Sequence, residues 1–236
     1  MAVAVVQSTN AVVTTSSSTW TFTFASAVAQ NNVVVLIAKN GTASRTLQAP
    51  TGGGGTFSAI QTIGGTASGA LYMWGKSETN SGVTSYTITL ASGSAIGIVY
   101  GWELSGTNGA SAASSGTGTQ STTTTSPQMV DTGLTIASGG IMIGAISTQT
   151  FNSWGTFTTP TNFTSRYQST ASPSSSVFFG DSTTAASGVT GQATVTTARA
   201  VWGLAATWIQ PASGGPFPHF TQRRMTGGMG NMRGGY

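Results

Sequence analysis

Residues 81–102 read SGVTSYTITLASGSAIGIVYGW, and residues 187–208 read SGVTGQATVTTARAVWGLAATW. The two phrases align without a gap at an offset of 106 (187 − 81). Gly82-Val83 matches Gly188-Val189, Gly97 matches Gly203, Ile98 matches Leu204, and Trp102 matches Trp208. Upstream, ALYMWGKS (70–77) lies opposite SVFFGDS (176–182), NNVVVLIAKN (31–40) answers SGGIMIGAIST (138–148), and Pro50 answers Pro160. Offsets drifting between 106 and 110 are what loop insertions between matched strands produce. The chain therefore reads as two copies of one unit of roughly a hundred residues, a size at which a single core is self-sufficient.

The unit is expected to be all-β. In WTFTF, Trp20, Phe22 and Phe24 alternate with Thr, and SYTITL repeats that period of two, so one face of each strand is apolar. VVVLIA (33–38) and IGIVYGW (96–102) are short continuous apolar runs, as in strands covered on both faces. Gly and Ser clusters punctuate the runs at sandwich-like spacing. No segment keeps a 3.6-residue period, so helix is not expected. The expected fold class is two tandem homologous Ig-like or jelly-roll-type β-sandwich halves with an irregular C-terminal tail. The halves are placed at 1–106 and 127–210, the Ser/Thr/Gly-rich connection at 107–126 and the tail at 211–236. The connection reads either as a flexible linker or as part strand.

Only 5% of residues are charged, against about 25% in ordinary soluble domains, so the polar surface is left to Thr, Ser, Asn, Gln and Gly. The absence of cysteine removes disulfides and thiolate metal sites and leaves the redox compartment open. MAVAVVQSTN has no basic n-region, so no signal peptide is expected. The apolar runs are too short for a spanning helix, and no membrane association is expected.

Reactive groups are sparse. The carboxylates Glu78, Glu103, Asp131 and Asp181 are dispersed, without the convergent pair of a glycosidase or a metal cluster's spacing. TGGGGT (51–56) lacks the Lys-Ser/Thr and the helix of a phosphate cradle and reads as a surface loop. The single histidine, His219, lies between Pro218 and Phe220, a poor platform for a catalytic triad. No catalytic residue, cofactor or metal is expected. Trp102 and Trp208, at matching positions, are expected to fill the same core position of each half. Phe151, Trp154 and Phe157, in the loop-like FNSWGTF, are the candidates for an exposed aromatic platform contacting a glycan.

Through residue 210 there are five Lys/Arg and four Asp/Glu, a net of +1; the remaining residues supply the other +3 of the total +4. That Gly/Met/Arg-rich tail cannot build a core of its own. Three isolated arginines are weak beside the dense basic clusters of nucleic-acid binders, so nucleic acid is not an expected partner. Arginine forks suit carboxylates of a protein, and methionines add adaptable apolar contacts. Phe217, His219, Phe220, Arg223, Arg224, Met225, Met229, Met232, Arg233 and Tyr236 are therefore the candidate docking residues.

The succession NNVVVLIAKN, ALYMWGKS, SGVTSYTITLASGSAIGIVYGWELSG resembles a duplicated β-sandwich domain of tailed-phage virion structural proteins, of the capsid-decoration and tail-fibre type, and of bacterial surface proteins. The resemblance covers roughly residues 1–210. It implies a non-enzymatic module that decorates or extends a particle, assembled in the host cytoplasm and located in the virion. The implied partners are the major capsid protein or another virion protein, with a homo-oligomer, a trimer first, as the assembly. The alternative is a carbohydrate- or host-receptor-binding module using the exposed aromatics on a host surface glycan.

Overall fold

A computed structural model describes residues 1–65, 67–149, 153–170 and 176–211. All regular structure among them is strand. The first half contains β1 (Ala4–Ser17), β2 (Thr19–Val28), β3 (Val33–Asn40), β4 (Ser58–Ile63), β5 (Leu71–Ser77), β6 (Val83–Thr89) and β7 (Ala95–Ser105). The second contains β8 (Ser114–Thr124), β9 (Leu134–Ile136), β10 (Ile141–Thr148), β11 (Phe157–Thr158), β12 (Thr164–Ser169), β13 (Val177–Ser182), β14 (Ala186–Val189), β15 (Thr194–Val195) and β16 (Arg199–Trp208).

The strands form an antiparallel sheet in the order β1-β7-β3-β5-β4 and another in the order β12-β13-β10-β16-β8. Read from the opposite edge, β8, β16, β10, β13 and β12 occupy the places of β1, β7, β3, β5 and β4. Two-stranded ladders β2–β6, β9–β14 and β11–β15 complete the fold. β8 accounts for most of the connection expected over 107–126: of the two readings, strand is what is found, and the second sheet begins at Ser114.

The two five-stranded sheets pack face to face. Val33, Val35, Ile37, Leu71, Met73, Tyr100 and Trp102 of the first share one core with Ile141, Ile143, Val177, Phe179, Leu204 and Trp208 of the second. Alternate residues of the same strands, Val34, Leu36, Ala38, Tyr72 and Trp74, pack outward on Trp20, Phe22, Tyr86 and Ile88 of the β2–β6 ladder. On the other side Met142, Ile146 and Phe178 pack on Leu134, Ile136 and Val195. Four layers result, and the inner two are covered on both faces. That is why β3 and β10 are buried at every position, as continuous apolar runs require. The halves are thus fused through a shared core. β12 lies over β1, β10 over β3 and β8 over β4, a two-fold-like stacking of the two sheets.

Gly97 and Gly101 on β7 allow the outer layer to close. A Cβ at either would strike Trp20 or Phe22 of β2, so the IGIVYG spacing admits the aromatic strand flat against the sheet. Register also corrects one part of the internal alignment. Val35 pairs with Trp102 and Ile141 with Trp208, so β3 and β10 match at an offset of 106. Ile37 pairs with Met73 and Ile143 with Asp181, so β5 and β13 match at 108 and a carboxylate stands where the first half has methionine.

Candidate functional site

The positions of the charged groups decide what this surface can do. Of nine charged side chains in residues 1–211, Lys39, Lys76, Glu78, Glu103 and Asp181 are buried, Arg45, Arg166 and Arg199 are half-buried, and Asp131 is exposed. Each carboxylate is engaged in bonds that hold the fold.

Glu78 follows directly on β5 and pairs with Lys76, with Nζ 2.9 Å from Oε2 and neither side chain accessible. The Gly54 amide donates to Oε1 (2.6 Å), as does the Asn80 amide (3.1 Å), and the Tyr86 hydroxyl donates to Oε2 (2.8 Å). Lys76 also donates to the carbonyls of Gly52 (2.6 Å) and Gly54 (2.8 Å) and lies over the Phe57 and Tyr86 rings. The loop TGGGGT is the lid of this pair. Gly53 has φ +66° and a Cβ there would collide with both charged groups, so glycine is what lets the backbone wrap them. Burial by itself raises the Glu78 pKa. The bonds from Lys76, Asn80, Gly54 and Tyr86 together outweigh it and hold the carboxyl below its ordinary value.

Glu103 on β7 accepts from the Ala29 amide (2.9 Å), Asn32 Nδ2 (2.6 Å) and Gln7 Nε2 (2.6 Å), tying β1 and the β2–β3 turn to the sheet. Asp181 on β13 is held bidentately by Arg166 of β12, through Nε (2.5 Å) and Nη2 (3.1 Å). It also accepts Nε1 of Trp102 from the other half (2.9 Å). Asp131 Oδ2 accepts the Thr119 amide (3.0 Å). These four carboxylates sit in four separate networks, and no group of three or more His, Asp or Glu converges among the described residues.

Lys39 lies on β3, on its core-facing side, with no exposed surface. Burial lowers its pKa from 10.5 to about 7. Above pH 7 the folded chain therefore holds it neutral while the unfolded chain still binds the proton, so stability rises with pH from about 7 toward 10.5. Burial also raises the hydroxyl pKa values of Tyr72, Tyr86 and Tyr100. Ionisation of those hydroxyls in the unfolded chain begins above about pH 9 and works the other way, so the window that belongs to Lys39 is pH 7 to 9. Unfolding free energies from urea titrations between pH 7 and 9 should rise, at a slope of at most ~1.4 kcal/mol per pH unit. Lys39→Met should flatten the rise; an unchanged slope in that variant would show that another group is responsible.

The expected aromatic platform is not formed. Trp154 is fully buried and Phe157 is 7% exposed; Phe151 lies outside the described residues. Trp154 packs on Phe157 (4.8 Å), which stacks on Phe178 (4.9 Å, 24°). The reason is volume. The outer layer of the first half carries Trp20, Phe22, Phe24 and Tyr86, whereas the second half offers Leu134, Ile136 and Val195. Trp154 and Phe157 supply the missing bulk. A glycan site built on them is therefore withdrawn. Trp102 and Trp208 are both buried in the shared core, as expected of matched positions. The docking residues Phe217, His219, Phe220, Arg223, Arg224, Met225, Met229, Met232, Arg233 and Tyr236 all lie outside the described residues.

Two recesses that the sequence did not announce lie side by side along the rim where β4 meets β8. Ser58, Ala59, Ile60, Ala110, Ser111, Ala112 and Ser115 line one of about 220 Å³. Gln61, Ser115, Gly116, Thr117, Thr132 and Leu134 line another of about 360 Å³. Neither is lined by an ionisable group, so they present hydroxyls, one side-chain amide, backbone and the apolar side chains of Ile60, Leu134 and three alanines. Comparison of the chain with protein-family models, with curated proteins and with solved structures finds no match.

Proposed function

We propose that this chain is a non-enzymatic structural protein of a bacteriophage virion, a capsid-decoration (cement) protein or a minor tail or fibre component, docked on the particle through its basic tail. The observation that carries this reading is the use of charge. The body commits its carboxylates internally, three of the four out of reach of solvent. Arg223, Arg224 and Arg233 thus find almost no complement on their own body, and their carboxylate partners belong to another protein. The body itself is a rigid four-layer block whose near-uncharged surface of hydroxyls and amides is insensitive to salt. Many copies turn a weak single docking event into a stable assembly.

Limited trypsin digestion with mass spectrometry of the C-terminus tests the proposal. Cleavage after Arg223, Arg224 and Arg233 should be rapid in the isolated protein and suppressed in the assembled particle. Equal rates in both would remove the tail as the docking element.

A further inference from the structure

β1 and β4 are the edges of the first five-stranded sheet, and β12 and β8 those of the second. Exposed edges invite pairing with other chains, and folded proteins blunt them with short strands, bulges, charges or covering segments. Three of these four edges are blunted. β4 and β12 are six residues long and each is broken by a register shift, at Ala59/Gln61 and Ser165/Tyr167; β12 also carries Arg166. On β8, the Asp131 amide donates to the Thr117 carbonyl (3.1 Å) and the Asp131 carboxylate accepts the Thr119 amide, closing the middle of that edge.

Over its central run β1 has no charge, proline or register break; at the start of that run Gln7 is tied to β2, its side-chain amide donating to the Ser26 carbonyl (3.0 Å) and accepting the Ser26 amide (3.1 Å). The strand is 14 residues long, AVVQSTNAVVTTSS, without a charge, a proline or a glycine. Its register against β7 is unbroken from Gln7 to Val13, and no described strand pairs with its other side. Val6 and Val12, two of the four exposed large apolar residues among the described residues, lie on it. β8, which holds the matching place in the second sheet, is capped; β1 is open.

We propose that β1 is the site at which a second copy of this chain adds, β1 against β1, antiparallel about a two-fold axis at Asn10. Asn10 is the midpoint of the unbroken run, so Thr9 would oppose Ala11, Ser8 would oppose Val12 and Gln7 would oppose Val13. Every pair is strand-compatible, and no charge meets a like charge. The row of free amides and carbonyls selects an extended backbone as occupant. The two first sheets would join into one of ten strands.

The chain's own tail is the competing occupant, because it leaves the body beside the start of β1. The Asn108 amide donates to Ile209 O (2.9 Å), and the Val3 amide to Gly139 O (2.7 Å), against which Gln210 packs. Its seven glycines and three prolines over 211–236 make it a poor strand. The proposal does not depend on the virion reading.

Sedimentation equilibrium on the full chain tests it. The native protein should be a dimer. Asn10→Lys and Asn10→Asp each place like charges together at the axis and should weaken association roughly tenfold or more. Mixing the two variants should restore the dimer, because opposite charges then meet. Circular dichroism and melting temperature check that Asn10, an exposed residue, leaves the fold unchanged. A native monomer or trimer would overturn the proposal, as would variants that associate like the native chain, or a mixture that stays monomeric. A chain ending at Pro211 that fails to dimerise would also overturn it, because association would then run through the tail and not through β1.

Discussion

Glu78→Ala is expected to lower the stability of the fold by about 3–5 kcal/mol, because it strands the Lys76 ammonium in a site closed to solvent. The same change leaves the Gly54 and Asn80 amides and the Tyr86 hydroxyl without their acceptor. At roughly 2–4 °C per kcal/mol for a chain of this size, the melting temperature should fall by about 6–20 °C. Replacing both partners, Lys76→Met with Glu78→Leu, should cost much less, since no charge is then left buried. A Glu78→Ala loss below about 1 kcal/mol would mean that solvent reaches the pair. The linkage follows from the direction of the shift. A carboxyl whose folded pKa is depressed stabilises fully above its unfolded value, 4.5, and that contribution disappears as pH falls through the folded value. Below pH 4.5 the stability of the native chain should therefore fall more steeply with acid than that of the double variant, which has no such contribution to lose.

Trp102→Ala should be similarly severe, about 3–5 kcal/mol, and should reveal how the halves are coupled. The indole is buried in the shared core, and its Nε1 donates across the interface to Asp181. Tyr100 stacks on Phe179 of the other half beside it (5.6 Å, 23°). Removing the ring leaves a cavity between the inner sheets and takes one donor from a buried carboxylate. With one core serving both halves, calorimetry should give a single unfolding transition that moves down as a whole. Two resolved transitions, with one unmoved by the substitution, would show that each sandwich is stable alone. Trp102→Phe, which keeps most of the volume and loses only the donor, should fall between the native chain and the alanine variant.

Much of the fold is legible in particular residues. WTFTF and SYTITL declare one-sided strands by their period, and they form the outer ladder β2–β6. VVVLIA and the IMIGAI of β10 declare two-sided burial by continuity, and they are the centres of the two inner sheets. The site was less legible. FNSWGTF has the composition of an exposed loop. Whether its tryptophan meets solvent depends on how much volume Leu134, Ile136 and Val195 leave unfilled, and no local pattern carries that sum. TGGGGT reads as a loop, but its role as the lid of an ion pair depends on Lys76 and Glu78, which lie more than twenty residues further along.

By itself, then, the sequence determined the strand content, the absence of a helical period, the internal match of the two halves and the concentration of net charge in the last 26 residues. These are local or additive properties, set by alternation, side-chain type and count. Tertiary structure alone decided that the halves bury their large sheets against each other, that the carboxylates bind internal donors, and that β1 is the edge left open. Each of these depends on contacts between residues tens of positions apart, such as Trp102 with Asp181 or Gln7 with Glu103. Period two states that a strand has an apolar face; only packing states what that face meets.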